Sequence, residues 1–258
     1  MRSLPLALLP VFALLSSPAA SAPIIVNEFN AVSSANYLDG GNSDSTLGIV
    51  QGNGGDWVEL VVIADHFDLR GGSLSILEGQ LPGRSTTVLT FSQDALWGDL
   101  RAGTIITVAE DIADDTGYDP FGGDWWINVQ ANASGSGQFI TASNFSVSND
   151  DTQITLLDAL SQVWFGPAGE GIQPLTGINS REVWKLEADP SASITPTSSY
   201  NDGSSSSFGA PNLWSGGASV QDFSALRSVV VPEPGAATLL GVALAAGTLF
   251  SRRSRRGA

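Results

Sequence analysis

The chain has 258 residues and a formal net charge of −15, from 26 Asp+Glu against 11 Lys+Arg. Five of the basic residues lie at the two ends, so residues 23–233 hold six Lys+Arg against all 26 Asp+Glu, a net of −20. Such a surface repels phosphate backbones, which argues against a nucleic-acid partner. The absence of cysteine removes disulfides, thiolate catalysis and Cys-ligated metals.

Residues 1–22 read as a secretory signal. Arg2 gives a positive start, Leu4 to Leu15 is mostly apolar, and Ser16 to Ala22 is rich in small residues. Cleavage after Ala22 would leave Pro23 first, a poor site for the peptidase, so cleavage after Ser21 is preferred. The alternative of an uncleaved anchor meets a segment short for spanning and interrupted by Pro5 and Pro10.

Residues 23–214 are read as one all-β domain, large enough to bury a core without disulfides. Short β-like runs alternate with Gly/Asn/Asp/Ser clusters. Strands are predicted at Ile24–Phe29, Trp57–Ile63, Ser73–Leu77, Thr86–Phe91, Thr104–Val108, Trp125–Val129, Gln153–Leu157, Gln162–Phe165 and Glu182–Leu186. No amphipathic helix is evident, and many short strands with polar turns predict a sandwich. Asn36 to Gly55 reads as a polar excursion between two strands. Asp189 to Ser207, mostly Ser, Thr, Pro and Asn, reads as a surface loop or disordered arm.

Chemistry-bearing residues in the body are few. His66 is the sole histidine; in Asp65-His66 with Asp68, sequence neighbours on an extended chain point apart, so an ordinary surface role is expected. Glu28 and Glu59 interrupt apolar strands. They could form an acid–base pair, the basis of a third reading as an acidic-site hydrolase. The preferred role is structural, near strand edges, accepting backbone hydrogen bonds. Acidic clusters at Asp39-Asn42-Asp44, at Glu110, Asp111, Asp114, Asp115 and Asp119, and at Asn149-Asp150-Asp151 offer oxygen ligands without an EF-hand spacing. No cofactor is expected, with calcium as the alternative. Core packing is the preferred reading of the seven tryptophans; Trp125 and Trp126 are adjacent and cannot both face one core, so they are the candidate ligand contacts for a polysaccharide.

Residues 215–231 read as a linker and 232–258 as a sorting and anchoring segment. Gly235 to Ser251 carries no charge, and as a helix it reaches about 26 Å, just under a roughly 30 Å hydrocarbon core. Arg252, Arg253, Arg255 and Arg256 follow and would stay on the cytoplasmic side. Ala237, Gly241 and Ala245 form a small-residue stripe suited to close helix packing.

Pro232-Glu233-Pro234, a short Gly/Ala/Leu helix and an Arg-rich tip together resemble the PEP-CTERM sorting signal of Gram-negative bacteria. The resemblance implies recognition and processing near the tripeptide by an exosortase, a membrane enzyme, with the helix and arginines as a removable anchor. The body resembles a lamin-tail domain, an immunoglobulin-like β-sandwich. The matching residues are Ile25–Phe29, Gly55–Leu60 and Phe67–Gly71, with Ser148–Asp151 before the Gln153–Leu157 run and the late Ser207–Asn212. Gly72-Ser73-Leu74 departs from the usual Gly-Trp-Leu. The resemblance implies a binding or structural module with no activity of its own. The expected protein is exported, anchored in the inner membrane, then moved to the cell surface or matrix. Its body would be structural or adhesive, or in a second reading a carbohydrate-binding module.

Overall fold

The computed structural model describes residues 21–172 and 177–228. Most of the expected signal, the Pro232-Glu233-Pro234 motif, the apolar run and the four arginines lie outside the described residues.

All nine predicted strands are present, and together with β10 they form two sheets. The larger runs β10 (Tyr200–Gly203), β9 (Val183–Leu186), β1 (Ile24–Asn30), β2 (Trp57–Val62), β5 (Ile105–Ala109), β6 (Trp126–Gln130). Its pairs are antiparallel except β5 with β6. The smaller sheet, antiparallel throughout, runs β4 (Ser85–Thr90), β3 (Ser73–Glu78), β7 (Gln153–Leu157), β8 (Val163–Gly169).

The inner faces of the two sheets meet in one apolar core. Val58, Leu60, Ile106, Val108, Ile127 and Val129 of the large sheet join Leu74, Ile76, Leu89, Ile154, Leu156 and Phe165 of the small one, all buried. Alternation along each strand supplies these residues, because successive side chains point to opposite faces. Trp184 is stacked on both sides, 5.1 Å from Phe29 and 4.2 Å from Tyr200. The Tyr200 hydroxyl donates to the Val26 carbonyl at 2.6 Å. Tyr200→Phe should leave that carbonyl unsatisfied and cost about 1–3 kcal/mol, read as a lowered urea midpoint at unchanged slope.

The outer face of the large sheet is also covered. Two segments lie over it: 36–55, read from the sequence as a polar excursion, with Leu38 and Asp44 buried, and 204–212, which begins in the stretch read as a loop or arm, with Ser206, Ser207, Phe208 and Asn212 buried. A second small core of Val32, Leu38, Trp57, Ala109, Val183 and Phe208 sits beneath them. The 189–207 stretch is therefore part of the fold, since it supplies β10 and part of this cover. The expected linker from 215 also belongs to the body as far as Arg227. Its β12 (Ser219–Val220) pairs with β11 (Leu213–Trp214), Gln221 and Phe223 are buried, and α1 (Ser224–Arg227) follows.

Candidate functional site

Directly opposite residues in neighbouring strands share a face, and one rung of the large sheet is polar from edge to edge: Asn201, Lys185, Glu28, Glu59, Thr107, Asn128. This rung faces the cover. The register slips between Val26 and Glu28, so a bulge at Asn27 brings its side chain beside that of Glu28 in the same network. Glu59 accepts from Asn27 Nδ2 at 2.7 Å and from the Gly209 amide at 2.8 Å. Glu28 accepts from Ser207 Oγ at 3.1 Å through Oε2, while its buried Oε1 has no partner among the described residues. Lys185 donates to the Ser205 carbonyl. Asp44 fastens the two cover segments together: Ser206 Oγ and the Phe208 amide donate to it at 2.6 and 3.1 Å.

Glu28 and Glu59 thus lie in the middle of the sheet, not near strand edges as the sequence suggested. Glu59 does accept a backbone amide, from a residue 150 positions away, whereas Glu28 accepts a serine hydroxyl instead. Burial pushes the Glu28 carboxyl up to about 7, with Lys185 opposing that rise and Asp44 adding to it. Burial likewise raises the Glu59 carboxyl well above its usual range, and the neighbouring Glu28 raises it further. Gly209 meets both demands of its place. It has φ +69°, and a Cβ there would come within 2.4 Å of the Trp126 ring.

A second cluster opens to solvent at one end of the sandwich. Here the turns after β2, before β5 and between β5 and β6 surround a cleft of about 630 Å³ lined by Asp65, His66, Asp99, Arg101, Tyr118 and the 119–121 turn. Arg101 donates to both oxygens of Asp65, at 2.7 and 3.0 Å, in a fork that matches a carboxylate. That hydrogen bond, more than the charge itself, holds the Asp65 carboxyl below its usual range. Arg101 also lies 5.5 Å from the centre of the Phe121 ring. His66 has φ 57°, a left-handed conformation that His tolerates better than most residues, and its Nδ1 lies 2.6 Å from Asp99 Oδ1. Of the pairings considered from the sequence, His66–Asp68 does not form, because Asp68 is forked onto Arg70, whereas His66 Nε2 does lie 3.5 Å from Asp65 Oδ2 although sequence neighbours were expected to point apart.

The other candidates are placed as follows. Trp126 closes one end of the polar rung: its Nε1 donates to Thr107 Oγ1 at 2.9 Å and its ring meets Phe208 edge-on. Trp125 packs against the Arg227 guanidinium, which also lies over Phe223 and donates to the Gly103 carbonyl at 3.0 Å. Both tryptophans are partly buried. Asp114, Asp115 and Asp119 accept backbone amides from Gln130, Gly117 and Gly122. Among the described residues, no group of three or more His, Asp or Glu is placed to hold a metal ion. Sequence reasoning missed Asp99, Arg101, Tyr118 and Phe121, although Tyr118-Asp119-Pro120-Phe121 does carry a turn signal with two aromatics.

Compared with known proteins, the chain matches no family model, no curated protein and no solved structure.

Proposed function

We propose that this is an exported, membrane-tethered cell-surface or matrix protein whose β-sandwich, of immunoglobulin-like lamin-tail type, is a non-catalytic structural or adhesive module. The tail is cut by an exosortase-like enzyme near Pro232-Glu233-Pro234. The observation that carries the reading is the order at the C-terminus: the tripeptide, then seventeen uncharged residues, then Arg252, Arg253, Arg255 and Arg256. Two prolines oppose regular secondary structure and leave that stretch accessible to an enzyme. The acidic, cysteine-free body agrees with export. Among the described residues the last packed side chain is that of Arg227, against Trp125 and Phe223, five residues before the Pro232-Glu233-Pro234 motif. The hydrolase reading fares worse, because Glu28 and Glu59 are sealed from solvent.

In its native cell the mature chain should have an intact mass lacking Arg252 to Arg256 and should fractionate with the surface or medium. Glu233→Ala should leave it full-length in the inner membrane. A freely soluble periplasmic chain that retains Arg255 and Arg256 overturns the proposal.

A further inference from the structure

We propose that the cleft between Asp65, Asp99, Arg101 and Phe121 binds an uncharged pyranose ring of a glycan, with Phe121 as the stacking surface. The proposal deepens the adhesive reading by naming a ligand class, and it does not depend on how the C-terminus is processed.

The walls are set before any ligand arrives. Phe67 and Leu100 exchange backbone hydrogen bonds at 2.8 and 2.9 Å, joining the first two turns. The Tyr118 hydroxyl accepts from the Arg101 amide and pairs with Thr104 Oγ1, both at 2.9 Å, which ties the third turn to them. Asp119 receives the Gly122 and Asp124 amides and closes the turn that carries Phe121. Little conformational entropy remains to be lost on binding.

What the cleft leaves unused matches a sugar. Phe121 is 69% exposed even with the Arg101 guanidinium 5.5 Å over its ring, so most of the ring surface stays open, an unusual position in a domain that buries most of its aromatics. An apolar ring face with planar polar groups beside it suits a pyranose, whose C–H face packs on the aryl ring while its hydroxyls seek hydrogen bonds. Among the described residues Asp99 accepts through Oδ1 alone, which leaves Oδ2 to a ligand, while Asp65 Oδ2 already takes Arg101 Nη2 at 3.0 Å with His66 Nε2 3.5 Å away. Arg101 lines the cleft at 7% exposure, and with Nε and Nη2 committed to Asp65, Nη1 makes no hydrogen bond among the described residues. The cleft lies within the roughly 300–1,000 Å³ range of small-ligand sites.

Charge narrows the class. Three carboxylates (Asp65, Asp99 and Asp119) face Arg101 and His66, so the cleft stays negative even with His66 protonated and repels uronates and phosphates. Glycan hydroxyls are donors, which carboxylates accept.

The full-length chain, purified in mild detergent, can be passed over immobilised dextran, mannan, linear β-glucan, chitosan and polygalacturonate. Retention is expected on at least one of the three uncharged polymers and not on polygalacturonate. Phe121→Ala and Asp99→Asn should each weaken it roughly tenfold or more with circular dichroism unchanged, whereas Trp125→Ala should not. The proposal is overturned by retention on none of the uncharged polymers, by retention on chitosan or polygalacturonate alone, or by binding that survives both cleft substitutions. None of these outcomes bears on the mass of the mature C-terminus.

Discussion

A chain ending at Trp214 is expected not to fold, whereas one ending at Ser228 should melt within a few degrees of the full-length protein. The difference lies in Gln221, Phe223 and Arg227. Gln221 Nε2 reaches Asn27 Oδ1 and the Ala188 carbonyl, both at 2.9 Å, and its Oε1 accepts from the Asn212 amide at 3.0 Å. Removing it leaves these groups at the buried centre of the network, each costing about 1–3 kcal/mol unless water enters. Phe223 is 4% exposed, and its loss adds about 2 kcal/mol of unrealised burial. Losses of this size reach most of the roughly 5–15 kcal/mol that holds a domain together. Gln221→Ala in the otherwise intact chain isolates the polar part and should cost about 2–4 kcal/mol. Circular dichroism melts of these three variants beside the full-length protein settle the matter. Cooperative melting of the Trp214-terminated chain within 5 °C of full length would show that the segment after Trp214 is dispensable.

That outcome bears on what the sequence could reveal. The nine strands were legible because each has its own period: Ile154 and Leu156 face the core, while Gln153 and Thr155 face away. The same rule misled on the large sheet. Glu59, Thr107 and Lys185 alternate with apolar residues as they would on a solvated face, yet they are 0%, 0% and 1% exposed. Their cover, 36–55 and 204–212, has no period to detect. Side-chain to main-chain hydrogen bonds hold it, such as Asn30 Nδ2 to the carbonyls of Gly52 and Gly55 at 2.8 and 2.6 Å. Polar, glycine-rich sequence therefore read as loose loop where it is packed. β10 was invisible for a related reason, since Tyr200-Asn201-Asp202-Gly203 has the composition of a turn. The end cleft escaped because its residues come from three turns far apart in sequence. Only the tertiary pairing of Phe67 with Leu100 brings His66 to Asp99.

The polar rung also sets how stability should vary with pH. An unfolded glutamate carboxyl titrates near 4.5, whereas burial raises that of Glu28 to about 7. The folded state therefore binds the proton more tightly. Stability is greatest below about pH 4.5 as far as this group is concerned, and it falls as pH rises towards 7. At about 1.4 kcal/mol per pH unit the loss is about 3 kcal/mol, or roughly 6–12 °C in Tm for a domain of this size. Glu59 and Asp56 titrate in the same direction, each raised first by desolvation, so the decline should continue past neutrality. Lys185 opposes it by attracting the charged Glu28. On the acid side the sign reverses for Asp65, whose carboxyl is lowered by Arg101 and whose contribution is lost as pH falls. The stability maximum should thus lie in mild acid, near pH 5. Glu28→Gln keeps the shape and an acceptor for Ser207 but cannot ionise. Its Tm should match or fall slightly below the wild type at pH 5 and exceed it at pH 8, with a shallower slope left by Glu59 and Asp56. Curves for the two proteins that run parallel from pH 5 to 8 would mean that Glu28 is already charged in the folded protein. In that case Lys185, not a bound proton, balances it beneath the cover.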